Sequence, residues 1–130
     1  MFRVNAIRQA EQKALHGKAS VFMYSFAWKV AAFDGRFKAA HAVDEPFIFG
    51  NLNKAPGFGV LSEESLALSR KIMRSWAAFA QTGNPNHNTL PIWERYVPDT
   101  RATMIFNNSC RVIKDPGQAT RLARCSAVAR

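Results

Sequence analysis

The sequence predicts an α/β fold in which helices cover the faces of a sheet. The first indication is the run Val21–Trp28, which is apolar on both of its faces, as strands buried inside a parallel sheet are. The second is residues 62–82, where apolar side chains recur at helical spacing opposite a basic face. Together they predict a few strands, one long packing helix (62–82) and a short N-terminal helix.

The N-terminal helix is predicted over residues 4–16. Apolar side chains recur there at roughly helical spacing, with charged residues between them, and Gly17 is typical of a helix stop. We expect this helix to cover the sheet. The strand that follows finds few partners in the rest of the chain, which indicates that its neighbouring strands are missing from these 130 residues.

Residues 29–61 show no helix or strand period, and so long an irregular segment is usually functional or disordered. Within it, residues 36–50 read R-F-K-A-A-H-A-V-D-E-P-F-I-F-G. Pro46 forbids continued helix and favours extended backbone at Glu45, so we expect His41 to lie on an irregular loop. The run Phe47–Phe49 is predicted to anchor that loop in a core. From these residues alone, His41 is open to three interpretations: a general base, a ligand or a hydrogen-bonded structural histidine.

The long helix carries signals at both ends. Ser62 is predicted to cap its N-terminus and Gly83 to end it. Its predicted core-facing stripe, widened by neighbouring apolar residues, is Leu68, Ile72, Trp76 and Phe79. A stripe of this kind is typical of core packing rather than of a cofactor site.

The remainder of the chain is predicted as loop, two strands and a tail. Residues 84–100 are expected to form a loop held to the body by Trp93 and Tyr96, with His87 on the surface. The two short strands are predicted at 103–106 and 111–114, and residues 117–130 as a frayed tail. We therefore interpret residues 1–130 as a single, partial domain.

Composition excludes several classes of function. The net charge of +9 raises the question of nucleic-acid binding, but the basic residues are scattered and no aromatic residues alternate with them. A solvated basic surface is favoured, and no nucleic-acid partner is predicted. No apolar run is long enough for a membrane span, and charges interrupt the start of the chain where a secretion signal needs an apolar block, so localisation stays unassigned.

The two cysteines, Cys110 and Cys125, do not indicate a metal or redox centre. They lack the C-x-x-C spacing typical of zinc or thiol–disulfide sites. The sequence allows these two cysteines to be either free thiols or a disulfide, so it does not assign a cellular compartment.

Residues 40–50, A-H-A-V-D-E-P-F-I-F-G, resemble the histidine segment of the type-B carboxylesterases. These serine esterases include the para-nitrobenzyl esterases and the cholinesterases. In that family a histidine with small neighbours is followed three residues later by an acid and then by an aromatic-rich run ending in glycine. The resemblance continues through residues 68–70, 76–80, 82–86, 90–93 and 102–106. It covers nearly the whole chain, but only the C-terminal part of a longer family enzyme.

This resemblance implies an α/β-hydrolase fold and a Ser–acid–His triad. It implies that His41 is the catalytic general acid–base residue and that Asp44 orients its loop. Glu45 departs from the family pattern, where an aliphatic residue is usual. We therefore expect Glu45 to point outward or to pair with Arg36 or Lys38.

The other parts of a serine esterase site are not found in the sequence. None of the seven glycines belongs to a G-x-S-x-G elbow, and no Gly-Gly pair offers an oxyanion loop. The family acid lies further upstream of the histidine than the forty residues present here, and Asp34 has no family match. The chain is therefore predicted to be inactive alone.

The leading interpretation is the C-terminal segment of a serine carboxylesterase. It would act on a small-molecule carboxylic ester when complemented by the N-terminal part, with no metal or organic cofactor. One alternative is a non-catalytic interaction protein that associates through an unpaired strand at an exposed sheet edge. The less favoured alternative is a small basic nucleic-acid-binding module.

Overall fold

The computed structural model describes residues 2–29, 42–54 and 61–128. Within these ranges the helices are α1 (Phe2–His16), α2 (Glu45–Ile48), α3 (Glu63–Thr82) and α4 (Gln118–Val128), and the strands are β1 (Met23–Phe26), β2 (Ala102–Phe106) and β3 (Arg111–Lys114). A turn of 3-10 helix, Leu52–Lys54, follows α2. The predicted α/β class is confirmed, and so are the N-terminal helix, the long helix and the two strands near the C-terminus.

The described sheet has the order β1–β2–β3. β1 runs parallel to β2, with Met23 opposite Thr103 and Phe26 opposite Phe106. β3 runs antiparallel to β2 on its other side, with Ala102 opposite Lys114. Every residue of β2 is buried, whereas every residue of β1 is only half-buried. β1, the strand expected to be buried on both faces, therefore lies at the edge of the described sheet.

The main core lies between the sheet and helices α2 and α3. Its fully packed members are Val43, Phe47, Leu52, Leu68, Ile72, Trp93, Met104 and Phe106. Aromatic rings meet edge to face across it, with ring centroids 4.9 Å apart for Phe26 and Phe47 and 5.5 Å apart for Trp93 and Phe106. Such pairs contribute about 1 kcal/mol beyond the area they bury. The predicted anchors Trp93 and Tyr96 are both buried.

Helix α3 begins and ends where the sequence predicted. The Ser62 hydroxyl accepts from the Ser65 N–H, and the Ser65 hydroxyl oxygen accepts from the Ser62 N–H, which satisfies two donors at the helix N-terminus. At the other end, Gly83 adopts a left-handed conformation (φ 72°), and its N–H donates to the Phe79 carbonyl.

The buried face of α3 differs from the predicted stripe. Ser65, Ser69 and Ser75 are buried beside Leu68 and Ile72. The predicted core residue Phe79 instead leaves 44% of its surface exposed. Because serine is small, α2 can approach α3 closely at these positions. The Ser69 hydroxyl donates to the Phe47 carbonyl of α2 at 2.8 Å. Hydropathy alone does not reveal that a hydroxyl has a buried acceptor.

The C-terminal residues differ from the predicted frayed tail, because residues 118–128 form helix α4. Gly117, at a φ of 75°, makes the turn into this helix. Arg121 then pairs with Asp115 at 2.6 Å, and Arg3 of α1 donates to the Pro116 carbonyl. The contact from Arg3 joins residues far apart in the chain, so local periodicity does not predict it. Side chains are described for this helix only as far as residue 123.

Two further findings apply to the described ranges. None of the helices there combines the length and apolar character needed to cross a membrane. The same residues contain no cluster of three or more His, Cys, Asp or Glu side chains suited to a metal ion. Cys110 is a free thiol that donates to the Asn107 carbonyl at 3.3 Å, whereas the Cys125 side chain lies outside the described residues.

Candidate functional site

His41, the predicted catalytic residue, lies outside the described residues, as do Asp34, Arg36 and Lys38. The description resumes at Ala42, directly after the histidine. Residues 42–44 form a turn that leads into α2. The candidate site is therefore characterised by the segment that follows His41 and by the elements that hold this segment.

The segment after His41 is helical where extended backbone was predicted. Glu45–Ile48 forms the single turn of α2, with Asp44 at its N-cap and Pro46 in its first turn. The prediction was wrong because proline is favoured at the start of a helix, where its missing N–H has no partner to lose and its fixed φ suits the helix. Glu45 is exposed, which is one of the two outcomes expected for it.

Two buried side chains fix this segment to the body. Val43 and Phe47 have no solvent exposure. The Phe47 ring lies against Phe26 of β1, and its carbonyl accepts the Ser69 hydroxyl of α3. The segment that follows His41 is therefore anchored to both β1 and α3 through Phe47. This confirms the predicted anchor at Phe47, whereas Phe49 of the same run is 73% exposed.

Asp44 is tied to the sheet by Tyr24. The Tyr24 hydroxyl donates to Oδ2 of Asp44 at 2.8 Å. The Tyr24 ring packs edge to face on Trp76 and Phe106, with centroids 5.1 and 5.8 Å away. Burial, and then the bond to Asp44, raise the pKa of Tyr24 well above its ordinary value, so the phenol remains a neutral donor. The sequence analysis did not predict a role for Tyr24, although the hydroxyl of a tyrosine in a buried strand usually needs a hydrogen-bond partner.

Alkaline titration tests this environment. Burial raises the pKa of both tyrosines of the chain, Tyr24 and Tyr96. We expect the folded chain to show less phenolate absorbance at 295 nm near pH 10 than the unfolded chain, in which a tyrosine is about half ionised at that pH. Because the folded state holds these protons more tightly, their contribution to stability is complete below about pH 10 and falls as the pH rises further. A half-titrated signal near pH 10 from chain shown by circular dichroism to be folded would contradict this.

Ala42 is held in a strained conformation beside the histidine. Its φ is 68°, in the left-handed region that side chains other than glycine rarely adopt. For an alanine this costs about 1–2 kcal/mol. The burial of Val43 on one side and the Tyr24–Asp44 bond beyond it fix the turn that imposes the strain. Strained backbone of this kind clusters at functional sites.

Replacing Ala42 with glycine is expected to stabilise the chain by roughly 0.5–1 kcal/mol. Glycine adopts a positive φ without strain, and the strain energy that is removed exceeds the cost of the greater conformational entropy of glycine in the unfolded state. Urea unfolding followed by tryptophan fluorescence measures it. The control is Ala77→Gly on an exposed position of α3, where the same change should destabilise by about 1 kcal/mol. Equal effects of the two changes would contradict strain at Ala42.

The structure also contains a serine–histidine pair that the sequence did not predict. Nε2 of His87 lies 3.0 Å from the buried Ser75 hydroxyl and 3.0 Å from the Lys71 carbonyl. Since a carbonyl only accepts, Nε2 carries the proton, while Nδ1 accepts from the Thr89 N–H and faces its hydroxyl at 2.9 Å. His87 therefore cannot take a proton from Ser75 through Nε2, and the pair ties a loop to α3. His87, predicted to lie on the surface, is half-buried because it contacts Ser75 and Lys71 of the preceding helix.

The model of the carboxylesterase family matches residues 1–124. The chain belongs to the carboxylesterase family. This match includes the predicted histidine segment and the whole of β1, α2, α3 and the sheet described above. The resemblance to type-B carboxylesterases is thereby confirmed.

Two named relatives of this carboxylesterase-family chain are an esterase and a carboxylesterase. It is 35% identical over 102 residues to the para-nitrobenzyl esterase of Bacillus subtilis (strain 168). The aligned region covers 75% of the chain and 20% of that protein. It is 39% identical over 85 residues to human carboxylesterase 5A, covering 60% of the chain and 15% of that protein. The chain thus spans about a fifth or less of the length of these relatives.

Solved esterase structures share its fold. A thermophilic para-nitrobenzyl esterase matches with a TM-score of 0.79 and 30% identity over 90% of the chain and 24% of its own length. An esterase from Clostridium hathewayi, described as able to hydrolyse aliphatic aromatic polyesters, matches with a TM-score of 0.82 and 30% identity over 94% of the chain and 24% of its own length. The α/β-hydrolase fold is therefore confirmed for this carboxylesterase-family chain.

Proposed function

We propose that this chain is the C-terminal part of a serine carboxylesterase and contributes His41 as the general acid–base residue of a Ser–acid–His triad. The observation that carries the proposal is the family match over residues 1–124, which includes the histidine segment. Support comes from the anchored turn directly after His41, with its strained Ala42 and buried Val43. A catalytic imidazole needs a fixed position of this kind.

The proposed reaction is the hydrolysis of a carboxylic ester. The histidine takes the proton of the serine hydroxyl as the oxygen attacks the ester carbonyl, and returns it to the leaving alcohol. The same imidazole then activates water against the acyl-enzyme. A carboxylate orients the ring, and backbone N–H groups stabilise the oxyanion. This sequence of steps requires neither a metal ion nor an organic cofactor.

Asp44 is proposed as a positioning residue and not as the triad acid. Its carboxylate is engaged by the neutral Tyr24 hydroxyl, which links the turn after His41 to β1. In this proposal the Asp44–Tyr24 bond fixes the turn before α2 to β1. The histidine would depend on that bond for its place in the site.

The nucleophile of the proposed site lies outside these 130 residues, since they contain no G-x-S-x-G elbow. The serine, the base and the oxyanion donors act as a unit, so a chain with the histidine alone retains little of the rate. The complete site then forms only together with the upstream part of a carboxylesterase.

A complementation assay tests the proposal. The upstream part of the Bacillus subtilis para-nitrobenzyl esterase, which this chain does not match, is produced as a separate polypeptide and mixed with the full 130-residue chain. We expect hydrolysis of a para-nitrophenyl ester, and labelling of the serine by a fluorophosphonate, only in the mixture. Hydrolysis by the chain alone that is faster than by its His41→Ala form would overturn the missing-nucleophile argument.

A non-catalytic role at the sheet edge is the second candidate. The observation that favours it is the exposed side of β1, which pairs with no other strand in the described ranges. An interaction protein of this kind would bind a partner there without gaining hydrolysis in the complementation assay.

A further inference from the structure

Helix α3 carries a group of three basic side chains, Arg70, Lys71 and Arg74, called here the α3 basic group. Arg74 lies four residues after Arg70 and three after Lys71, and residues at these spacings are neighbours on the surface of a helix, where like charges repel. No position three or four residues from any of them holds a carboxylate. The sequence contains no Asp or Glu at all from residue 65 to residue 93, so this helix and the loop after it concentrate positive charge.

The α3 basic group has no counter-ion within the described part of the chain. Both ion pairs found there involve other arginines. The two arginines of the group are exposed, but Lys71 is half-buried. A charged side chain that has lost part of its hydration is normally paired with an opposite charge. The group is therefore free to bind an anion from solution.

A cavity of about 190 Å³ lies beside these side chains. Its lining combines the α3 basic group and Ala67 with Thr89 of the following loop. A bound anion can therefore contact several cations at once, which side chains that only extend into solvent do not allow. Pockets for drug-sized ligands measure about 300–1,000 Å³. The smaller volume here suits one compact polar group.

The loop wall of this cavity is held in place by His87. Nε2 of His87 lies 3.0 Å from the Lys71 carbonyl, and Nδ1 lies 2.9 Å from the Thr89 hydroxyl. The loop is also closed by a pair of bonds: the Asn86 amide donates to the Trp93 carbonyl at 3.0 Å, and the Trp93 N–H donates back to Asn86 Oδ1 at 2.6 Å. A cavity whose walls are fixed before binding loses less free energy to ordering when a ligand enters.

The side chains of the α3 basic group match the chemistry of phosphate. A guanidinium presents its donors in a planar fork that binds two phosphate oxygens at once, and a lysine adds a compact positive charge. A phosphomonoester carries a charge of about −1.5 to −2 at pH 7. Three cations can neutralise that charge fully. A carboxylate, with one charge and two oxygens, is expected to bind more weakly.

We propose that the cavity between α3 and Thr89 binds a phosphate group through Arg70, Lys71 and Arg74. This site is independent of the proposed esterase function, because it is built from α3 and the loop that follows it. The same chemistry is offered by a soluble phosphomonoester and by a lipid headgroup. Nucleic acid is not favoured, because none of the described residues that line the cavity is an aromatic side chain on which a base could stack.

Titration of the full chain with inorganic phosphate at constant ionic strength tests the site. We expect saturable shifts of amide resonances, concentrated at residues 70–74 and at Thr89. Replacing both Arg70→Gln and Arg74→Gln should weaken binding about 10-fold or more, because the fork donors are lost. The matched control is Arg8→Gln with Lys13→Gln, which removes the same charge from exposed positions of α1 and should change the affinity less than about 2-fold.

Thermal unfolding provides a second measurement. Glutamine is a good helix former, and removing two like charges relieves repulsion, so the Arg70→Gln, Arg74→Gln chain should fold with an unchanged or slightly higher Tm in the absence of phosphate. Phosphate should raise the Tm of the unmodified and control chains but not of this variant. Equal weakening of binding by both double variants, or shifts that spread over all basic residues without saturating, would show a general charge effect and overturn the inference.

Vesicles of phosphatidylcholine mixed with phosphatidic acid distinguish the two sources of phosphate. Cosedimentation that is lost in the Arg70→Gln, Arg74→Gln chain would support the site and identify a lipid headgroup as its ligand. Saturable phosphate binding without cosedimentation would support the site and identify a soluble phosphomonoester. Tight binding of duplex DNA without saturable binding of phosphate would identify a nucleic-acid surface and overturn the inference.

Discussion

Replacing His41 with alanine is expected to lower kcat of the reconstituted esterase by about 10⁴-fold or more, with KM changed only a few-fold. Without the imidazole, nothing removes the proton of the serine hydroxyl or returns it to the leaving alcohol. Because the residues of a triad act as a unit, replacing one of them removes most of the rate that the triad provides. Steady-state hydrolysis of a para-nitrophenyl ester by the chain mixed with the upstream polypeptide measures the effect.

The matched control is His16→Ala. His16 lies exposed in the last turn of α1, far along the chain from the candidate site, and should leave kcat unchanged. A His41→Ala mixture that keeps even a tenth of the activity would show that another group acts as the base.

Replacing Phe47 with alanine is expected to lower the free energy of unfolding by about 3–5 kcal/mol. The side chain is fully buried between β1 and α3. Its removal loses the free energy of transferring the ring out of water and leaves a cavity whose neighbouring side chains lose their packing contacts. Urea unfolding of the 130-residue chain, followed by tryptophan fluorescence, measures the change.

Phe49→Ala is the control for this substitution, because the same side chain two residues later is 73% exposed. We expect it to change the free energy by no more than about 0.5 kcal/mol. Similar losses for the two phenylalanines would mean that Phe47 does not anchor the histidine segment.

Sequence patterns predicted the elements whose signals are local. The caps of α3, the two strands around residues 107–109 and the apolar anchor at Phe47 each follow from residues close together in the chain. The family resemblance added what no local pattern contains, namely the fold and the candidate role of His41. That role stays a prediction, because the residue lies outside the described ranges.

The remaining features depend on contacts between distant residues. The Tyr24–Asp44 bond joins β1 to the turn after His41, and the His87–Ser75 contact joins a loop to α3. Three serines lie on the buried face of α3 because their hydroxyls have hydrogen-bond partners there or nearby, which a hydropathy pattern does not register. Pro46 lies in the first turn of α2. Proline interrupts the interior of a helix but is favoured at its start, so the residue type alone does not decide between the two.

Tyr24 connects two events that are usually considered separately. Its main chain faces the open side of β1, while its phenol holds the carboxylate of Asp44 beside the histidine turn. A strand that docks on this side would also restrain the phenol, and through it the carboxylate of Asp44. Pairing at this edge and ordering of the turn at residues 42–44 would then be cooperative.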